Sequence, residues 1–149
     1  MTRAMRPDKV TLAALQAVLC LYTDTTRLVK ELPTLRLLTR DPVEIEKLAH
    51  RLAKVLQECL ELCEVTVEST YSQVGSGALP VDRLQSAALK IARPDLRRPG
   101  KTLEKLAEAF RKLQIPVIGR ISSDALWFDL RCLEDEKGFV ENLQGLKVR

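Results

Sequence analysis

Aromatic residues are scarce in this chain: one tryptophan, two tyrosines and three phenylalanines, 4% of 149 residues. Most fall on apolar faces, so the sequence shows no stacking platform of the kind that reads single-stranded RNA. Histidine is rarer still. His50 is the only one, it stands amid Lys47, Arg51 and Lys54 on a face expected to be solvated, and no nucleophile–histidine–carboxylate arrangement can be assembled around it. A glycine-rich nucleotide loop is missing too, because Gly75 and Gly77 lack a third glycine and do not open a helix. No apolar run approaches the ~20 residues that span a bilayer, and the basic start Met1–Arg6 leads into an amphipathic segment rather than a signal-type apolar block. The expectation is a cytoplasmic protein with no membrane partner. Cys20, Cys59, Cys63 and Cys132 are too few and too scattered for a disulfide framework. Cys59 and Cys63, four apart, would share a helix face; without a second such pair or a close histidine, buried apolar cysteines are favoured over a metal site.

What remains is ample for a core. Hydrophobic residues make up 46% and charged residues 30%, with a net charge of +4, which steers a polyanion only weakly. Pro7 suits the first turn of a helix over 9–22 that carries Val10, Leu12, Leu15, Val18, Leu19 and Tyr22. Residues 23–40 read as a polar connection. Asp41-Pro42-Val43-Glu44 then supplies an N-cap, a proline at the first helical position and an acidic residue at the third. The helix it starts places Ile45, Leu48, Leu52, Val55, Leu56, Cys59 and Leu60 on one side.

After this helix the period changes to two. Val65 and Val67 alternate with polar residues as in a strand, and Gly75-Ser76-Gly77 breaks it. Ala87–Ile91 reads as a second strand, and Arg93–Gly100 as a basic loop. Thr102 is placed to cap a helix with Leu103, Leu106, Ala107, Phe110 and Leu113 inward. Val117–Ile121 and Ala125–Leu130 form a hairpin around Ser122-Ser123-Asp124, with Trp127 expected in the sheet core. A last helix over 134–146 carries Phe139, Val140 and Leu143, its Glu134-Asp135-Glu136 start complementing the helix dipole. The fold class is α+β, a mostly antiparallel sheet with helices packed on one face. Residues 1–40 form a linker helix and connection, and residues 41–149 a small α+β domain.

The polar residues of interest are arginines. Arg3 and Arg6, three apart just before a helix start, are spaced to hold an oxyanion or else form a solvated pair. Arg120 lies in an apolar strand and must find a partner or face a cleft. Pairing with Asp129 across the hairpin is the structural alternative to a binding role.

Four stretches carry a resemblance: Pro33-Thr34-Leu35-Arg36-Leu37-Leu38-Thr39-Arg40, Ser72–Leu89 with its Gly75-Ser76-Gly77-Ala78-Leu79-Pro80 core, Pro116-Val117-Ile118-Gly119-Arg120-Ile121, and Asp129-Leu130-Arg131. Together they resemble the C-terminal third of the bacterial selenocysteine synthase family, L-seryl-tRNA(Sec) selenium transferases of PLP-dependent fold type I. Two departures, Pro7 for a small aliphatic residue and Gln85 for proline, remove no charged group. The resemblance implies a small C-terminal domain preceded by a linker helix. It implies an activity for the whole enzyme, conversion of seryl-tRNA(Sec) to selenocysteinyl-tRNA(Sec) using selenophosphate. It also implies that Arg3 and Arg6, followed by Asp8-Lys9, hold the selenium-donor anion, and that Arg120 contacts substrate. Pyridoxal phosphate belongs to the full-length enzyme, and the family's Schiff-base lysine falls before residue 1. Lys9, Lys30 and Lys90 have neither a phosphate cradle nor a depressed pKa in view. No catalytic residue, bound cofactor or metal is therefore expected here, and the chain alone should not turn over. The implied partners are the cofactor domain of the same enzyme, seryl-tRNA(Sec), and further copies in a homo-oligomer. The alternative is a free-standing α+β module that binds RNA or protein.

Overall fold

The structure is a computed structural model that describes residues 7–73 and 83–146. The chain divides into two compact units, Met1–Arg40 and Asp41–Arg149.

The first unit is helical: α1 (Lys9–Leu21), α2 (Thr25–Glu31) and α3 (Pro33–Leu38). Asp8 caps α1, its carboxylate accepting from Thr11 N at 2.7 Å, so the helix starts two residues later than Pro7 suggests. Residues 23–40 are more ordered than a connection. Asp24 caps α2 through Thr26 N (3.1 Å) and Thr26 Oγ1 (2.6 Å), and Pro33 opens α3. Leu32, at φ −90° and ψ 105°, separates the two helices because the residue before a proline is driven out of the α region. The polar character of this segment hid two short helices whose signals are caps rather than apolar periodicity. None of the residues of α1 is buried. Its polar residues are only Lys9, Thr11 and Gln16, so its apolar surface covers most of the cylinder instead of one stripe.

The second unit contains α4 (Pro42–Cys59), β1 (Glu64–Gln73), β2 (Arg83–Ala92), α5 (Gly100–Arg111), β3 (Arg120–Ser122), β4 (Ala125–Asp129) and α6 (Glu136–Leu143). Asp41 caps α4 as the sequence predicts, accepting from Val43 N at 2.9 Å. Ile45, Leu48, Ala49, Leu52 and Leu56 form its buried stripe. Gln57 then clasps the exit turn: its Nε2 donates to Cys63 O (2.8 Å) and its Oε1 accepts from Val65 N (3.0 Å). The expected break at Gly75–Gly77 lies outside the described residues.

The sheet has the order β1-β2-β4-β3, and every pair is antiparallel. In register, Leu89 faces Phe128 and Ile91 faces Leu126. These side chains are buried with the inner residues of α4, α5 and α6 in one core, where the Phe110 and Phe128 rings meet at 4.8 Å between centroids. This is an α+β domain with helices against one sheet face. Arg51 binds Glu136 through two hydrogen bonds of 2.8 Å and ties α4 to α6.

Three local expectations are corrected. Thr102 is not a cap: α5 starts at Gly100 after Pro99, with no side-chain cap. The first arm of the hairpin shrinks to Arg120–Ser122, because the preceding segment turns away to bond α5 and α6. Val117 N donates to Phe110 O at 3.1 Å. Asn142 brackets Ile115 from both sides, accepting from its N–H (3.1 Å) and donating to its carbonyl (2.8 Å). Finally, Trp127 is only partly buried and stands on the face away from the core, since strand neighbours alternate and Leu126 and Phe128 point inward. The hairpin itself turns on Ser123 and Asp124, both left-handed at φ 51° and 55°, the geometry that suits the twist of paired strands.

Candidate functional site

The face of the sheet opposite the core is lined by alternate residues of all its strands. Register places Ala88 between Glu68 and Asp129, Lys90 between Thr66 and Trp127, and Arg120 opposite Trp127. Gly119 lets the β3 approach lie close: a Cβ there would stand 2.7 Å from both a Phe128 ring carbon and Trp127 O.

Trp127 stands between two cations. Lys90 Nζ is 5.5 Å from the ring centroid and Arg120 Cζ is 5.9 Å from it, both within cation–π range. The indole N–H donates to Ser122 O at 2.9 Å, which fixes the ring. Lys90 also meets Glu68 at 3.5 Å. Arg120 is exposed, and its Nη2 donates to Thr70 Oγ1 at 3.3 Å.

Asp129 is held separately. One carboxylate oxygen accepts from Ser86 Oγ (2.7 Å) and Arg131 N (3.0 Å), and the other accepts from Ser72 Oγ. The buried Ser86 is satisfied by this bond, and β1, β2 and β4 are laced together through one carboxylate. The Arg131 guanidinium donates to Gln85 O. The alternative Arg120–Asp129 pair is therefore not formed: the aspartate is claimed by the two serines, and the arginine reaches β1 instead. Between them opens a cavity of about 340 Å³ lined by Ala88, Ile118, Gly119, Arg120, Trp127 and Asp129.

Arg3 and Arg6 lie outside the described residues, so only Arg120 of the sequence-selected residues can be placed. Lys90, Trp127, Asp129, Ser72 and Ser86 join it here without having been singled out as site residues. Period-two alternation from Arg120 and Trp127 would have found Lys90 only with the β2–β4 register in hand.

The thiols are distributed differently from expectation. Cys63 is buried, while Cys20, Cys59 and Cys132 are exposed. Helix α4 stops at Cys59, so Cys59 and Cys63 do not share a helix face. Both line a cleft of about 830 Å³ beside α5, where burial pushes the Cys63 thiol above its ordinary pKa. Among the described residues no group of three or more His, Cys, Asp or Glu is placed to hold a metal ion. None of the described helices is long and apolar enough to cross a membrane.

The fold and this face define a small α+β domain that presents an arginine, a lysine and a tryptophan on an open sheet. Residues 1–134 match the family described as SelA, L-seryl-tRNA selenium transferase, and the chain belongs to that family. It is 54% identical over 141 residues to the L-seryl-tRNA(Sec) selenium transferase of Klebsiella pneumoniae strain 342, covering 95% of this chain and 30% of that relative. To the protein of the same name from Yersinia pestis strain Pestoides F it is 51% identical over 142 residues, again 95% of this chain and 30% of the relative. The chain thus spans about a third of the length of the curated relatives it matches.

Proposed function

We propose that this chain is the C-terminal part of a PLP-dependent transferase that converts seryl-tRNA(Sec) to selenocysteinyl-tRNA(Sec) with selenophosphate. The observation that carries the reading is the family match over residues 1–134 at 54% identity to a transferase of that name.

The three lysines weighed from the sequence are not set as a cofactor-holding lysine would be. Lys90 is engaged by Glu68 and Trp127, and Lys9 and Lys30 lie exposed on helices of the first unit. The cofactor is assigned under this reading to the part of the family's length that this chain does not span, and the chain alone is expected to show no turnover. The uncovered apolar surface of α1 supports a linker role, since a helix apolar on most sides is ordinarily enclosed by protein. The partners under this reading are the cofactor domain, seryl-tRNA(Sec) and further copies of the full-length chain in a homo-oligomer, in the cytoplasm.

This chain's own contribution is anion binding and domain packing. Arg3 and Arg6 hold the selenium-donor anion, since the planar guanidinium fork can bond two oxygens of a phosphate-type group at once. Arg120 presents its free N–H groups to a substrate group above the sheet.

Joining this chain to the preceding two thirds of the Klebsiella relative tests the assignment. The joined protein should form selenocysteinyl-tRNA, and the chain alone should form none; an inactive but folded and PLP-loaded fusion would count against the reading. In the same fusion, Arg3→Ala and Arg6→Ala should each reduce selenophosphate use about tenfold or more with PLP absorbance and tRNA binding retained. Normal use by both variants would end the oxyanion role.

A further inference from the structure

Arg120 and Asp129 face one cavity and do not pair with each other. On neighbouring strands at a diagonal offset, an arginine and an aspartate are within reach of a direct ion pair. Here each is held off by β1 instead: Thr70 takes the guanidinium and Ser72 takes the carboxylate. Ser86 of β2 takes the carboxylate as well, so both charged heads are anchored to hydroxyls rather than to each other. Ala88 lies between them on β2, with Ile118, Gly119 and the Trp127 indole as walls.

Both heads keep bonding capacity. A guanidinium has five N–H donors, and Thr70 uses one of them. A carboxylate offers about four acceptor positions, and Ser72, Ser86 and Arg131 N occupy three of Asp129's. A fixed cation and a fixed anion, separated across an apolar floor, complement a ligand that carries the opposite charges in the opposite order. A polyanion fits poorly, since Glu68 and Asp129 balance Lys90 and Arg120 on this face.

We propose that this cavity binds a free α-amino acid, its carboxylate on Arg120, its ammonium on Asp129 and its side chain against Trp127 and Ile118. An aminoacyl ester has no free carboxylate, so the site separates the free amino acid from the same residue attached to a nucleic acid. The inference rests on reading Arg120 as a binding group and not on the transferase assignment.

Trp127 is the only tryptophan in the chain and therefore reports directly on the cavity. The test is a titration of its fluorescence in the full 149-residue chain with L-leucine, L-leucine methyl ester, N-acetyl-L-leucine and inorganic phosphate. L-leucine should give a saturable change with a Kd of about 1 mM. Each derivative, and each of Arg120→Gln and Asp129→Asn, should bind about tenfold more weakly or worse. Because Asp129 also braces three strands, its variant is read only if its far-ultraviolet circular dichroism is unchanged. Arg120, exposed and bonded to one hydroxyl, carries the test if it is not. No saturable change up to about 20 mM L-leucine would overturn the proposal. So would derivatives that bind within about twofold of the parent. A response to phosphate alone, lost in Arg120→Gln, would leave Arg120 as an anion-binding residue and overturn the amino-acid assignment.

Discussion

Arg120 and Thr70 stand on opposite edge strands of the sheet, yet the guanidinium donates to the hydroxyl at 3.3 Å. The arginine spans β4 and β2 to do so. Its long stem lies along the sheet while its head stays wet, the usual compromise for this residue.

Trp127 should behave as a surface residue with one packed side. Trp127→Ala is expected to cost about 1–2 kcal/mol, whereas Phe128→Ala, in the core against Phe110, should cost about 3–5 kcal/mol. Urea denaturation of both variants measures the difference. A larger loss at Trp127 than at Phe128 would mean that the sheet faces are exchanged.

The Arg51–Glu136 tie predicts a weakness in acid. The hydrogen bonds from Arg51 hold the Glu136 carboxyl below its ordinary pKa, so the stabilisation is present above the unfolded value, about 4.3. It is lost as pH falls through the lower folded value. Both groups are largely exposed, so the effect is small. Glu136→Gln should flatten the decline of thermal midpoint below about pH 4.5; an unchanged acid profile would show that the pair contributes nothing.

The cysteines should divide by reactivity. Cys20, Cys59 and Cys132 are exposed and should react promptly with a thiol reagent in native buffer. Cys63, buried and with its thiolate disfavoured, should react at least about tenfold more slowly until denaturant is added. Four thiols reacting at one rate in the native chain would contradict its burial.

The helices of the second unit were legible wherever two signals agreed. For α4, a cap, a proline and a 3.6-residue apolar period all point to one start and one inner face. The hairpin was legible as a pair of strands, but its faces were not assigned correctly. Tryptophan is apolar enough to suggest a core, and only the register of Lys90 against Trp127 shows it turned outward. The choice between an Arg120–Asp129 pair and a free Arg120 stayed open in the sequence for a related reason. Alternation places two residues on one face, but it does not say that Ser72 and Ser86, remote in sequence, will bind the aspartate instead. The short helices of residues 23–40 escaped because each holds too few turns for a period to emerge.

Helix α1 has a practical consequence. Val10, Leu12, Leu15, Leu19 and Tyr22 are each at least half exposed, along a rod with three polar residues. Residues 41–149 carry a buried core of their own side chains. Thermal stability and colloidal behaviour are therefore set by different parts of this chain. Changes in the core will move its melting point, while charges placed along α1 will decide the concentration at which it stays dispersed.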